Sequence, residues 1–300
     1  MSQPRITPHL WFDKEAKEAA ALYCSAFPDT EITSSTTLRN TPSGDCDLVS
    51  FRVKGQPFMA ISAGPLFKRN PSISFIVNFD PSREREKLDE AWAKLSDGGN
   101  VLMPLDRYPF SERYGWVEDK FGVSWQLMLA GTEGAPSPAV VISMLFVNEN
   151  YGKAEAAREF YLSVFRNAEP GAIFRYGPGQ EPDREGAVMF ADFALEHTGF
   201  AVMDSAHEHA FQFNEAISLL VPCNTQEEID DYWEKLSASP EDERCGWLKD
   251  KYGVSWQISP VALGELMTRG TPEQRDRVTQ AFLKMKKFSI AELERAFRGQ

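Results

Sequence analysis

Several side chains in this 300-residue chain could do chemistry by type and spacing. His207-Glu208-His209 puts two imidazoles on alternate residues, a spacing that can hold a transition metal in an extended segment, although a solvated loop has the same composition. Asp204 and Glu215 form an acidic pair that could act as acid and base, or simply sit in water. Cys223 and Cys245 flank short apolar runs. Either could be a thiol nucleophile if a cation lowered its pKa, and Lys249 and Lys251 lie near Cys245 in sequence; otherwise both are small buried hydrophobes. Lys68, Arg69, Arg107 and Arg113 could receive an anion. None of the four cysteines forms a CxxC pair, so a structural zinc site is not expected, and a reducing cytoplasm is the simplest compartment.

These residues are carried by a duplicated chain. Tyr114-Gly-Trp-Val-Glu-Asp-Lys-Phe-Gly-Val-Ser-Trp-Gln126 recurs as Cys245-Gly-Trp-Leu-Lys-Asp-Lys-Tyr-Gly-Val-Ser-Trp-Gln257, with nine of 13 positions identical. Weaker echoes keep the same order. Ala20–Phe27 matches Arg158–Phe165, Ser72–Val77 matches Ala216–Val221, and Trp92–Ser96 matches Trp233–Ser237. The reading is a first unit over 1–130, a Gly/Pro-rich linker over 131–138, a second unit over 139–262 and a helical tail over 263–300.

Each unit reads as two β-α-β-β-β halves. Ile6–Phe12 suits a strand, and Asp13 can cap a helix to about Phe27. Glu31–Leu38, Leu48–Val53 and Pro57–Ala63 read as strands. The second half restarts with a strand over Ile73–Phe79 and a helix from Pro81 to Ser96. Strands over Val101–Pro104, Gly115–Glu118 and Ser124–Leu129 complete it. In the tail, Thr271-Pro272-Glu273 opens a helix and Ser289 caps another.

The composition excludes some function classes. Lys plus Arg number 32 against 44 Asp plus Glu, a net charge of −12, which argues against nucleic acid as a partner. No apolar run is long enough to span a membrane, and no secretory signal is expected at the N-terminus.

Paired β-α-β-β-β halves resemble the vicinal-oxygen-chelate, or glyoxalase/bleomycin-resistance, superfamily. Ile6-Thr-Pro-His-Leu-Trp-Phe-Asp13, Gly64-Pro65, Glu215-Ala-Ile-Ser218, Asp230-Asp-Tyr-Trp-Glu-Lys-Leu236 and Gln280-Ala-Phe-Leu-Lys-Met-Lys-Lys287 resemble its PhnB-like branch. Such chains often carry the label 3-demethylubiquinone-9 3-methyltransferase. No GxGxG turn that would let a backbone approach a nucleotide-type methyl donor stands here.

The resemblance implies an α+β fold of two tandem domains, each with curled sheets of antiparallel and mixed strands around a ligand cavity, plus C-terminal helices. It also implies metal ligands on the first and last strand of each half. His9 falls near the superfamily's histidine, and Gln126 and Gln257 stand where metal-binding members carry Glu. Met144 is the expected counterpart of His9 in the second unit. A neutral amide is a weak ligand for a divalent ion, so no cofactor is expected, with a divalent metal at His9 and Gln126 as the alternative. Ser62 and Ser74 in the first unit, and Asp204 and Ser218 in the second, complete the polar lining; Arg107 is expected at the rim. Trp11, Phe58, Trp116 and Trp247 could stack a flat ligand or be core.

Three functions compete: a metal-free binder of a small molecule, a vicinal-oxygen-chelate lyase, isomerase or dioxygenase, and the methyltransferase of the label. The two units are expected to pack as an intrachain pseudo-dimer, with a homo-oligomer possible. The cavity is expected inside the curled sheet of a single unit.

Overall fold

The computed structural model describes residues 3–130 and 138–300; most of the expected linker lies outside the described residues. The first half contains β1 (Thr7–Phe12), α1 (Ala16–Ala26), β2 (Thr30–Thr41), β3 (Gly44–Val53) and β4 (Gln56–Ser62). The second contains β5 (Ile73–Phe79), α2 (Arg85–Ser96), β6 (Asn100–Tyr108), β7 (Ser111–Glu118) and β8 (Ser124–Leu129). The third contains β9 (Val140–Phe146), α3 (Ala154–Val164), β10 (Ala168–Arg175), β11 (Val188–Leu195) and β12 (Thr198–Asp204). The fourth is shorter: β13 (Ile217–Cys223), α4 (Gln226–Leu236), β14 (Trp247–Lys249) and β15 (Ser255–Pro260). Three helices end the chain: α5 (Val261–Arg269), α6 (Pro272–Phe282) and α7 (Ile290–Arg298).

The expected β-α-β-β-β order therefore holds in three halves and loses a strand in the fourth. There the tail takes over part of the work of the missing strand. The amides of Cys245 and Gly246 donate to the carbonyls of Met285 and Lys286, both at 2.7 Å. A backbone donor at a sheet edge needs a partner, and the tail provides it.

The helix starts correct the sequence reading in detail. Asp13 does not cap α1; the amide of Ala16 donates instead to Ser62 Oγ at 3.2 Å, across from the end of β4. The same place in the third half is Asp204, whose Oδ1 accepts from Gly152 and Ala154 at 2.8 and 3.2 Å. An acceptor at a helix N-terminus satisfies otherwise orphaned donors. In the tail, Thr271 and Gln274 form a full capping box, and Ser289 caps α7.

The strands assemble in an order that crosses the repeat. One sheet runs β14-β15-β13-β1-β4-β3-β2 and the other β10-β11-β12-β9-β5-β8-β7-β6. The first half thus pairs with the fourth, and the second with the third. The joints are antiparallel, His9 opposite Ser218 between β1 and β13, and Ser74 opposite Ser143 between β5 and β9. Each sheet therefore joins one half of each unit, which corrects the expectation of a cavity inside the sheet of a single unit. The inner strands β1, β5, β9 and β13 would otherwise be edges, and each covers the other's unpaired backbone.

Alternation does the rest. Trp125 and Trp256 are fully buried on the helix-facing side. Trp125 packs on Tyr23 and Phe27, and Trp256 on Tyr161 and Phe165. Each indole N–H donates to a buried carboxylate, Trp125 to Asp119 Oδ2 at 3.0 Å and Trp256 to Asp250 Oδ2 at 2.9 Å. The other oxygen of each carboxylate accepts two turn amides, from Phe121 and Val123 and from Tyr252 and Val254. The two units repeat this clip group for group. No helix among the described residues is long and apolar enough to cross a membrane.

Candidate functional site

The face of the first sheet away from α1 and α4 encloses a cavity of about 570 Å³. Its floor comes from both units. β1 contributes His9 and Trp11, β4 Met59 and Ile61, and β13 Leu220 and Pro222, while β14 and β15 contribute Trp247 and Gln257. Leu38 and Leu48 extend the floor, and Cys245 stands beside Trp247. The roof is the tail: Leu263, Gly264 and Met267 of α5, with Arg275, Phe282 and Phe288 beyond it. Buried Leu266, Val278, Phe288 and Leu293 bind the tail helices to one another. Size and lining are those of a small-molecule site, mostly apolar with a few convergent polar groups.

Those polar groups are incompletely paired. Gln257 Nε2 donates to Ser218 Oγ at 2.8 Å, while Oε1 takes no hydrogen bond among the described residues. His9 is 5% exposed, and its Nδ1 is buried with no partner. Burial lowers the His9 pKa to about 4, so the ring is neutral at pH 7. Its ring meets Trp247 edge-on at 5.8 Å, and Trp11 meets Trp247 at 6.3 Å. Trp11 is held in place by its indole N–H, which donates to the Gly64 carbonyl at 2.8 Å.

The register settles which residues surround the centre of each sheet. In the first they are His9, Met59, Ser218 and Gln257. In the second they are Ser143, Ala201, Ser74 and Gln126. Ser143, and not Met144, is the counterpart of His9, because Met144 lies opposite Ile73 and points to the core. Neither set contains a carboxylate. One imidazole, a thioether, a hydroxyl and an amide carry no charge to hold a hard divalent ion, so the residues do not fit the superfamily's metal. No group of three or more His, Cys, Asp or Glu that could hold a metal occurs among the described residues.

Of the residues singled out from the sequence, His9, Trp11, Cys245, Trp247 and Gln257 meet at this cavity. Gln126 lies in the other sheet, fully paired with Ser74 Oγ and the Tyr114 hydroxyl. Trp116 is there too, donating to Ser124 Oγ at 2.7 Å. Ser62 and Asp204 hold helix N-termini. Glu215 pairs with Lys249 at 2.8 Å, well apart in role from Asp204. Cys223 is fully buried, and desolvation pushes its thiol up to about 12, the opposite of what a nucleophile needs. Burial raises the Cys245 thiol as well. Phe58 is core. Arg107 lines a separate surface hollow with Arg85, Arg113, Asp106 and Glu112. His209 bonds to Ser205 at 2.9 Å. Sequence reasoning missed Met59, Leu220 and the whole roof, whose only signal was the apolar stripe of the tail. It also missed Tyr114, although the Tyr-to-Cys difference opening the repeated word was in plain view.

Comparison with known proteins agrees with this architecture. The sequence profile of the family described as 3-demethylubiquinone-9 3-methyltransferase matches residues 4–128 and again 138–259. None of the curated proteins matches. Among solved structures, a PhnB protein of Bacillus cereus described by the same methyltransferase name is 38% identical. It covers 41% of this chain and 98% of its own, with a TM-score of 0.38. Glyoxalase I of Zea mays is 11% identical over 89% of this chain and 96% of its own, with a TM-score of 0.56, a likeness of fold. With the profile matched twice, the chain belongs to the 3-demethylubiquinone-9 3-methyltransferase family, a PhnB-like, tandem form of the vicinal-oxygen-chelate fold.

Proposed function

We infer that this chain binds a small, largely apolar molecule in the cavity roofed by its tail, without a metal. The observation that carries this reading is the mostly apolar chamber on whose wall His9 and Gln257 place polar groups, His9 Nδ1 being buried with no partner. A buried polar atom left unpaired costs about 1–3 kcal/mol, and a ligand that pairs it recovers that energy. Support for chelate chemistry is weaker, because the donor set has no carboxylate. Support for methyl transfer is confined to the family description. Four free cysteines fit a reducing compartment such as the cytoplasm.

The test is native mass spectrometry and elemental analysis of the untagged full chain. The expected result is a copurified organic ligand, lost in Gln257→Leu and kept in Gln126→Leu. Zinc or nickel near one equivalent, lost in His9→Ala, would overturn the metal-free reading. Retention of the ligand by Gln257→Leu would place the site elsewhere.

A further inference from the structure

Around the last-strand glutamine, the two copies of the repeat differ in one hydrogen bond to its amide. In the second sheet the Gln126 amide is held at both ends. Nε2 donates to Ser74 Oγ at 2.8 Å, and Oε1 accepts the Tyr114 hydroxyl at 2.7 Å. In the first sheet Gln257 Nε2 donates to Ser218 Oγ at the same 2.8 Å, so the amide is oriented alike. Its oxygen takes no hydrogen bond among the described residues, and the residue that takes the place of Tyr114 in the repeated word is Cys245. Where the Tyr114 ring packs against Tyr108 and Phe110 at 5.4 and 4.9 Å, the first sheet has its open cavity. The protein thus carries, in one copy, a phenol that its other copy lacks.

We propose that the cavity takes a phenol with an apolar substituent, its hydroxyl donating to Gln257 Oε1 as Tyr114 donates to Gln126. This deepens the reading of a small-molecule site and rests on it. Ser218 ties the second contact to the first. It holds the Gln257 amide and lies opposite His9 on the neighbouring strand. A neutral imidazole carries one N–H, which the phenol oxygen can accept. The hydroxyl would then be satisfied as donor and acceptor at once. The substituent has apolar walls to run along in Met59, Leu220, Met267 and Phe282, and the chamber is several times larger than a single ring needs. Among the described residues Arg275 is the sole charged residue of the lining, so a neutral ligand suits the site better than a carboxylate or phosphate.

The experiment is calorimetric titration of the full chain with 4-pentylphenol, 4-pentylanisole and pentylbenzene. The three share a shape, and 4-pentylphenol alone can donate. The expected result is binding of the phenol at least about tenfold tighter than either analogue, the size of effect that one added hydrogen bond in a mostly apolar cavity produces. Gln257→Leu should remove that preference, and Gln126→Leu should keep it. Circular dichroism of both variants shows that each is folded. Equal affinity for all three probes would overturn the phenol assignment and leave the apolar binding site standing. Retention of the preference in Gln257→Leu would overturn the assigned contact. Failure of all three to bind would overturn both readings.

Discussion

At the scale of single residues, His9 and Gln257 are polar groups held in an apolar chamber, and each should leave a thermodynamic trace. Burial on folding depresses the His9 pKa from its ordinary value of 6.5 to about 4. The unfolded chain therefore binds more protons than the folded one between these values, and the contribution of His9 to stability is lost as pH falls through that window. By pH 5 the loss should be about 2 kcal/mol relative to pH 7. Urea unfolding of wild type and His9→Leu at the two pH values should show a flatter profile for the variant by about that amount. The comparison isolates His9 from Asp119 and Asp250, whose carboxyls are raised by burial and act in the opposite direction. A profile identical in both proteins would mean that His9 reaches water. A ligand that occupies Gln257 Oε1 should also slow exchange of the Gln257 side-chain amide protons, a readout independent of affinity.

At the scale of elements, the tail and the carboxylate clips are the parts whose removal has the clearest outcome. Gly246 has φ of +80°, and a Cβ there would lie 2.4 Å from the Phe288 ring. Gly246→Ala should therefore strain the turn and push the tail away, at a cost of about 2 kcal/mol or more. Hydrogen exchange should speed up across α5 to α7 and at Cys245, while the second sheet keeps its protection. Uniform protection in the variant would show that the tail is not anchored there. The clips make a separate prediction. Asp250 accepts from Trp256, Tyr161 and two turn amides, so Asp250→Ala strands several buried donors and should cost about 3 kcal/mol in chemical unfolding. Asp119→Ala should cost a similar amount, because its clip repeats the indole and turn contacts. Variants that unfold at wild-type denaturant would show that the clips contribute little.

At the scale of the whole molecule, the crossed pairing of halves makes the two units mutually dependent. A cut within residues 131–137 should leave the fragments bound together, since the β1–β13 and β5–β9 ladders do not involve the linker. Size-exclusion chromatography with light scattering on the nicked protein should give the intact mass. The isolated first unit should self-associate, because it exposes β1 and β5 as open edges. Separation of the nicked halves into stable monomers would overturn this account.

The repeated word, the strand and helix types and the inward alternation around Trp125 and Trp256 were legible in the residues. They depend on local period and side-chain polarity, and those are written position by position. Even there, Asp13 misled, because the acceptor for α1 comes from Ser62, 46 residues away. Gln126 and Gln257 looked alike in sequence, and the fold made one a closed structural contact and the other a wall of an open cavity. The pairing of first half with fourth rests on backbone hydrogen bonds, which are the same for every side chain, so no residue pattern announces it. The tail became a roof for the same reason: its apolar stripe required burial, and only the assembled sheet decided against what.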